Sequence, residues 1–177
     1  MKKVLAMLLV LLLLPSAALA TALPMVGEEA PDFELTLLSG ETFRLSEQRG
    51  KVVLINIWAT WCGPCTMEMP DIDQLAKDYA EELVVIGVNC GESEETVARF
   101  VEENGYSYLF AADPDYYISG MLYPTTAIPY TIVVDAEGVI TQLHRGGGLG
   151  MYEVLEGYVQ DALNAVKTTE SGIQIFA

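Results

Sequence analysis

The chain is poor in positive charge, in histidine and in cysteine. Its 177 residues include nine Lys and Arg against 25 Asp and Glu, one histidine and three cysteines. So acidic a surface disfavours nucleic acids and anionic lipids as partners, because both carry negative charge. One histidine and three cysteines also leave few ligands for zinc, whose structural sites take four. We therefore predict that the protein binds neither nucleic acid nor metal, and we attribute its charge to solubility.

The first 20 residues contain no acidic side chain and no cysteine. Met1 to Lys3 is a short basic segment, Val4 to Leu14 is an uninterrupted apolar run, and Ala18-Leu19-Ala20 fits a signal-peptide cleavage site. The apolar run is shorter than the ~20 residues that a membrane-spanning helix needs. We predict that residues 1–20 are a cleaved export signal, with an uncleaved anchor from Val4 to Leu23 as the alternative. Since no cysteine lies near residue 20, a lipoprotein anchor is excluded.

Export would place the protein in a periplasm or on the outer face of the cytoplasmic membrane. Removal of the signal leaves about 157 residues without internal repeats, which is enough for one domain with a proper core. We assign residues 27–166 to that domain and residues 167–177 to a C-terminal tail.

Two of the three cysteines lie where a predicted strand meets a predicted helix, in the stretch INIWATWCGPCTMEMP at residues 55–70. The apolar run Val52 to Ile57 is rich in β-branched residues and predicts a buried strand of a parallel sheet. From Thr66 to Ala80 the apolar residues recur at helical spacing. The cysteine pair is therefore placed at a helix N-terminus.

That position favours redox chemistry. Unpaired N–H groups and the positive end of the helix dipole stabilise a thiolate, so Cys62, just outside the first turn, is predicted to be the exposed nucleophile. Cys65 follows three residues later on the same face, within reach of a disulfide. Pro64 suits the first turn, where its missing N–H would have no partner. The pair is predicted to act as a redox-active disulfide that needs no other cofactor.

Two other uses of such a pair remain open. A C-x-x-C pair is also half of a zinc site, but only Cys90 and His144 could complete it, and their spacing matches no known pattern. A static structural disulfide is possible in an exported protein, although such bridges usually close longer loops.

The sequence Trp61-Cys62-Gly63-Pro64-Cys65, with Trp58 before it and Pro70 after it, resembles the active site of the thioredoxin superfamily. The G-x-x-A-P-D-F opening at residues 27–33 is similar to that of two branches, the exported TlpA and ResA type thiol-disulfide oxidoreductases and the peroxiredoxins. A peroxiredoxin needs the pattern P-x-x-x-T-x-x-C. Here Thr60 stands two residues before Cys62 and no proline precedes it, so the TlpA and ResA type is favoured.

The remaining elements fit that type. The patterns predict a hairpin (Phe33 to Leu37 and Glu41 to Leu45), a strand (Leu83 to Asn89), a helix (Ser93 to Asn104), a short strand (Tyr108 to Ala111), a short helix (Tyr116 to Tyr123), a second hairpin (Tyr130 to Leu143) and a last helix (Met151 to Val166). The resemblance implies a thioredoxin-like three-layer α/β sandwich with an N-terminal β-hairpin and a central α/β insertion.

In the resembling family a cis-proline before a strand packs against the cysteine pair. Pro129 is preferred to Pro124 for this role, because it directly precedes the strand that leads to the turn at 136–138. Tyr130 then stands where the family often has threonine. The resemblance implies that substrates contact Trp61, Gly63, Pro64, Ile128 and Pro129.

Thiol-disulfide exchange needs an attacking thiolate, a resolving thiol and a proton acceptor. Cys62 attacks and Cys65 resolves. In thioredoxin the acceptor is a buried aspartate six residues before the first cysteine, but here that position is Asn56, which cannot take a proton. The resemblance to the ResA type implies Glu68 instead, and we hypothesise that it is partly buried, has a raised pKa and relays the proton of Cys65. A solvated helix glutamate is the alternative.

The other conspicuous residues receive structural roles. Trp58 is predicted in the core and Trp61 at an apolar rim beside Cys62. Cys90 is predicted to be a small buried residue at a strand end; because this end carries the cysteine pair, disulfide exchange with it is the alternative. We expect a surface position and no catalytic duty for His144.

The resemblance implies an extracytoplasmic thiol-disulfide oxidoreductase, monomeric and reducing. Its implied partners are cysteine-containing proteins such as apocytochrome c, in cytochrome c maturation, and a membrane thiol electron donor. A disulfide-donating oxidase and a thiol peroxidase of the peroxiredoxin, or AhpC-TSA, type are the alternatives.

Overall fold

A computed structural model describes residues 23–173, with side chains placed up to residue 165. The predicted export signal at 1–20 therefore lies outside the described residues. The elements are β1 (Glu34–Thr36), β2 (Thr42–Arg44), a 3-10 turn (Leu45–Gln48), β3 (Val52–Trp58), α1 (Gly63–Asp78), β4 (Leu83–Cys90), α2 (Glu94–Asn104), β5 (Leu109–Asp113), a π-helical turn (Tyr117–Leu122), β6 (Tyr130–Val134), β7 (Ile140–Arg145) and α3 (Tyr152–Ile173).

A five-stranded sheet in the order β5-β4-β3-β6-β7 forms the centre of the fold. Strand β3 lies in its middle, and all seven of its residues are buried, which explains its continuous apolar sequence. It pairs parallel with β4 but antiparallel with β6. The prediction of a parallel sheet is therefore corrected to a mixed one, because the β6-β7 hairpin returns along the other side of β3.

Three helices cover one face of this sheet. The crossovers from β3 to β4 and from β4 to β5 run in the same direction, and right-handed connections then place α1 and α2 on the same side. Trp58 of β3 packs against Phe100 of α2 with ring centroids 5.3 Å apart. Helix α3 packs beside α1, where Tyr79 donates a hydrogen bond of 2.8 Å to Glu156. The helical layer thus surrounds the C-terminal end of β3, where the cysteines lie.

The N-terminal segment forms the predicted hairpin, a separate two-stranded sheet of β1 and β2. It is attached to the edge of the main sheet through a bridge between Leu37 and Ala111 of β5. Phe33 packs edge-on against Tyr123, whose hydroxyl donates to the carbonyl of Pro31 at 2.7 Å. The thioredoxin-like sandwich with an N-terminal hairpin and an inserted α/β unit is therefore confirmed.

The helix of the inserted unit, which comprises α2 and β5, is capped at both ends. Ser93 accepts a hydrogen bond from the N–H of Thr96, and Gly105 ends the helix with a left-handed φ of 70°. Other boundaries differ: α1 begins at Gly63 rather than Thr66, and α3 continues past Val166 to Ile173. Residues 167–173 of the predicted tail are thus helical, since neither proline nor glycine stands between Val166 and residue 172.

Across residues 23–173, no helix combines the length and the apolar composition that a membrane crossing requires.

Candidate active site

A disulfide joins Cys62 and Cys65 at the start of α1, with Cα atoms 5.3 Å apart. Cys62 is the N-cap residue, and its Sγ accepts the backbone N–H of Cys65 at 3.2 Å. Pro64 lies in the first turn, as predicted, where no hydrogen bond is lost. The backbone N–H of Cys65, which has no acceptor within the helix, is therefore directed at the sulfur of Cys62, and this sulfur would carry negative charge after reduction.

The disulfide is less accessible than the sequence predicted. Only 6% of Cys62 and none of Cys65 is exposed, so Cys62 is not the exposed side chain that we expected. Its sulfur is engaged by the bond to Cys65 and by the N–H of that residue. Trp61 next to it is 70% exposed and forms the predicted apolar rim, whereas Trp58 is fully buried. A partner thus reaches the pair from the side of Cys62.

Glu68 lies one turn beyond Cys65 and is fully buried. Its Oε1 accepts a hydrogen bond of 2.8 Å from Asn56 Nδ2, which also lies 3.2 Å from Thr131 Oγ1. Asn56 on β3 therefore links the helix to the neighbouring strand β6. Among residues 23–165, no group forms a hydrogen bond of normal geometry with Glu68 Oε2. The solvated alternative for Glu68 is excluded by this burial.

Burial raises the pKa of Glu68 to about 7. The hydrogen bond from Asn56 acts in the opposite direction, the nearby Asp71 raises the pKa further, and the N–H of Gly148 lowers it slightly. Desolvation is the larger effect. A carboxyl group with such a pKa exists in both protonation states near neutral pH, which suits transfer of a thiol proton.

The peptide bond between Ile128 and Pro129 is cis. Pro129, not Pro124, is therefore the cis-proline, as the spacing predicted. The carbonyl of Pro129 accepts the N–H of Gly146 at 2.9 Å, and Gly147 lies next to both Pro129 and Glu68. Nothing local in the sequence reveals that this glycine run reaches a side chain so far back in the chain.

Glu92 is a second residue that sequence reasoning missed. Its carboxylate accepts the N–H of Thr60 at 2.7 Å, the hydroxyl of Thr60 at 2.6 Å and Asn89 Nδ2 at 2.8 Å. Burial acts to raise the pKa of Glu92, but these hydrogen bonds outweigh it and hold the pKa below its usual value. Glu92 thereby ties the loop that carries Trp61 to the end of β4.

Cys90, the last residue of β4, is a free and buried thiol. It lines a cavity of about 220 Å³, together with Trp61, Tyr116, Ser119, Thr125, Thr126, Ala127 and Ile128. Burial raises the pKa of the Cys90 thiol. The buried position agrees with the prediction, and exchange with the disulfide stays a prediction.

His144 keeps part of its surface exposed and also contacts a neighbouring helix. It is half-buried on β7, and its Nδ1 lies 3.2 Å from the hydroxyl of Tyr158 on α3. The ring packs against Tyr158, since β7 lies at the edge of the sheet under that helix.

A disulfide at the junction of a central strand and a helix, next to a cis-proline, defines a thioredoxin-like thiol-disulfide oxidoreductase. The chain belongs to the AhpC/TSA family, whose model matches residues 26–143. It is 41% identical over 128 residues to thioredoxin-like protein YneN of Bacillus subtilis, covering 68% of this chain and 71% of that protein. It is 39% identical over 127 residues to thiol-disulfide oxidoreductase ResA of Halalkalibacterium halodurans, covering 71% and 72%.

Among solved structures, the fold is similar to that of a candidate thiol:disulfide interchange protein DsbE from Chlorobium tepidum. The TM-score is 0.71 at 29% identity, with 79% of this chain and 99% of the other covered. The predicted resemblance to ResA-type proteins is thus confirmed, and the chain is a ResA-like thiol-disulfide oxidoreductase.

Proposed function

We propose that this oxidoreductase works outside the cytoplasm and reduces disulfide bonds of other proteins, apocytochrome c among them, in cytochrome c maturation. The observation that carries the proposal is the buried Glu68, one helical turn from Cys65, with a pKa of about 7. A carboxylate held dry beside the resolving cysteine can accept a proton when a mixed disulfide must be resolved.

The reaction consists of two exchanges after the pair has been reduced. The Cys62 thiolate attacks one sulfur of the substrate disulfide, which forms a mixed disulfide and releases the other substrate sulfur as a thiolate. The Cys65 thiol then passes its proton to Glu68, and its sulfur attacks Cys62. The bond between Cys62 and the substrate breaks, and the substrate leaves with both sulfurs reduced while the pair is oxidised.

Asn56 keeps Glu68 in place for this step. Its side-chain amide donates to Glu68 Oε1 and therefore holds the carboxylate between β3 and α1. Because an amide cannot take a proton itself, the acceptor is on the helix rather than on the strand. Glu68 Oε2 takes no part in the hydrogen bond from Asn56, and we assign it as the oxygen that receives the proton.

The surface around the disulfide supports a protein substrate. Trp61, Gly63 and Pro64 are exposed, and Ile128 is half-buried next to the cis-proline Pro129. An extended segment on this surface would present its cysteine sulfur to Cys62. We assign substrate binding to these five residues.

The remaining parts of the proposal rest on the sequence. The predicted export signal at residues 1–20 supports a location in a periplasm or on the outer face of the cytoplasmic membrane. In such an oxidising compartment the pair stays reduced only if a membrane thiol donor supplies electrons. We propose that the protein acts as a monomer and needs no cofactor beyond the Cys62 and Cys65 pair.

The reduction potential of the pair tests the direction of the reaction. The protein is equilibrated with glutathione or dithiothreitol buffers, and its free thiols are then alkylated and counted. A potential near the roughly −270 mV of thioredoxin, or lower, supports a reductase. A potential near the roughly −120 mV of strong periplasmic oxidants would reverse the assignment to a disulfide donor. Fractionation of cells and N-terminal sequencing of the mature protein test the export.

A thiol peroxidase is the second candidate, because the matched family is AhpC/TSA. The hydroxyl of Thr60, the threonine nearest before Cys62, donates to Glu92. It therefore does not serve to activate a peroxide at Cys62. Consumption of hydrogen peroxide with dithiothreitol as reductant, at a rate matching that of disulfide reduction, would favour this candidate over the first.

A further inference from the structure

The backbone of the glycine run after β7 passes directly over the Glu68 carboxylate. A Cβ placed on Gly147 would lie 1.8 Å from Glu68 Oε2, 2.8 Å from Glu68 Cδ and 2.9 Å from Pro129 Cγ. These distances are far below van der Waals contact. No other amino acid fits at this position while Glu68 and Pro129 keep theirs.

The reason for glycine differs along the run. Gly146 has φ 94° and Gly148 has φ 150°, and a Cβ on either would meet open space. At those two positions glycine is favoured because the backbone has a positive φ, which other residues rarely adopt. Gly147 is not among the residues with positive φ, so its lack of a side chain serves the close approach to Glu68 and Pro129 alone.

Hydrogen bonds hold both ends of the segment from residue 146 to residue 151 against neighbouring elements. The N–H of Gly146 donates to the carbonyl of Pro129 at 2.9 Å, and the N–H of Met151 donates to Asp71 Oδ2 at 2.7 Å. The segment is therefore held from the cis-proline on one side to helix α1 on the other. Gly147 lies between these two anchors, above the carboxylate.

We propose that Gly147 is a positioning residue for the proton acceptor: its bare Cα closes the site above Glu68, keeps water from the carboxylate and holds it against Asn56. The inference rests on the proposed role of Glu68 and extends it to a residue distant in sequence. A side chain at residue 147 would displace the carboxylate and admit water.

The displacement of Glu68 can be measured through its titration, because the substitution leaves the charged groups around it unchanged. The charged or titratable ones that interact with it are Asp71 on α1, Tyr108 just before β5 and, once the disulfide is reduced, Cys65. Strand β3 contributes the neutral Asn56. Gly147→Ala changes none of these charges, so a change in the titration of Glu68 would come from displacement and hydration.

The test is the pH dependence of insulin reduction by pre-reduced protein, followed from about pH 5 to about pH 9. We expect Gly147→Ala to lower the midpoint of the profile by about one pH unit or more and to slow reduction roughly tenfold at neutral pH. Gly146→Ala is the matched control, since it strains the backbone of the same segment without contacting Glu68. It should lower the thermal midpoint but leave the pH midpoint in place.

An unchanged pH midpoint in Gly147→Ala, or an equal shift in Gly146→Ala, overturns the inference. The variant Glu68→Gln distinguishes failure of the inference about Gly147 from failure of the proposed function of Glu68. If Glu68→Gln abolishes the pH midpoint and Gly147→Ala does not change the midpoint, then Glu68 accepts the proton but Gly147 does not position Glu68. If Glu68→Gln keeps the parent profile, the role of Glu68 itself fails.

A stability measurement keeps the inference testable if Gly147→Ala is too unstable for kinetics. Glu68→Ala removes the two atoms that the new Cβ would approach most closely, Oε2 and Cδ of Glu68, and leaves Pro129 Cγ. We therefore expect the loss in thermal midpoint caused by Gly147→Ala to be at least halved when Glu68→Ala is also present. Equal losses in both backgrounds would show that Gly147 does not act on Glu68.

Discussion

Asn56 Nδ2 donates a hydrogen bond of 2.8 Å to Glu68 Oε1, between the central strand and the helix that carries the cysteines. The pair divides two tasks that a single buried acid on the strand would perform. In the proposed mechanism the amide on β3 positions the carboxyl group on α1, and that carboxyl group exchanges a proton with Cys65. On this proposal a chain with asparagine in the strand can still resolve a mixed disulfide.

Glu68→Gln should slow reduction of a disulfide substrate and flatten its pH profile. In the parent protein the rate should rise with pH through about 7, because only the carboxylate form of Glu68 accepts the Cys65 proton. Loss of a general base costs on the order of a hundredfold. Stopped-flow kinetics with pre-reduced protein measures both effects. Glu81→Gln, an exposed site after α1, should behave as the parent does; a parent-like profile in Glu68→Gln would refute the assignment.

Glu68 should also make the folded protein less stable as pH rises. Its folded pKa of about 7 exceeds the ordinary value of 4.5, so the folded state binds more protons between these pH values. The contribution of Glu68 to stability is then greatest below about pH 4.5 and falls until pH passes about 7, by up to about 3 kcal/mol. Urea unfolding of the oxidised parent protein and of Glu68→Gln at several pH values gives this contribution as the difference between the two. An equal pH dependence in the two proteins would contradict the prediction.

The contribution of Glu92 to stability should depend on pH in the opposite sense to that of Glu68, and Glu92→Gln tests this. Because the folded pKa of Glu92 is lowered, its stabilising effect is present above the ordinary pKa of a glutamate and is lost as pH falls through the folded value. The substitution replaces an acceptor of the Thr60 N–H by an amide and should cost about 1 kcal/mol at neutral pH. Urea unfolding at neutral and acid pH measures this cost. Glu95→Gln, on the exposed face of α2, is the control.

Cys90 should stay unmodified in the native oxidised protein and react only after unfolding. The thiol is buried and its pKa is raised, so little thiolate is available to a reagent. Mass spectrometry after treatment with iodoacetamide should find Cys62 joined to Cys65 and residue 90 unlabelled. Any bridge between Cys90 and either partner would instead establish exchange among three thiols.

Trp61→Ala should impair the use of protein substrates without destabilising the fold. The side chain is 70% exposed, so the free energy of unfolding should change by less than about 0.5 kcal/mol. The KM for insulin should rise, while reduction of a small aliphatic disulfide should keep its rate. Trp58→Ala is the contrasting variant: that ring is fully buried, and its loss should cost about 3–5 kcal/mol. Equal effects on both substrates would argue against a docking role for Trp61.

Much of the fold was predictable because its signals are local. The caps at Ser93 and Gly105 and the hairpin turn at 136–138 each depend on a few consecutive residues. The continuous apolar run of β3 marked a strand covered on both faces. The direction of its partner β6 was not predictable in the same way, since pairing joins residues distant along the chain.

The sequence by itself determined the chemistry at the helix start. Cys62, Pro64 and Cys65 lie within one turn, so the disulfide and the N–H directed at Cys62 follow from local geometry. Only the tertiary structure decided what surrounds that turn. The burial of Glu68 needs Asn56 from the strand before it and Gly147 from beyond β7, and a hydrophobic pattern cannot show which distant residues will exclude water from a carboxylate. Burial raises the pKa of Glu68, and burial is a property of the assembled fold.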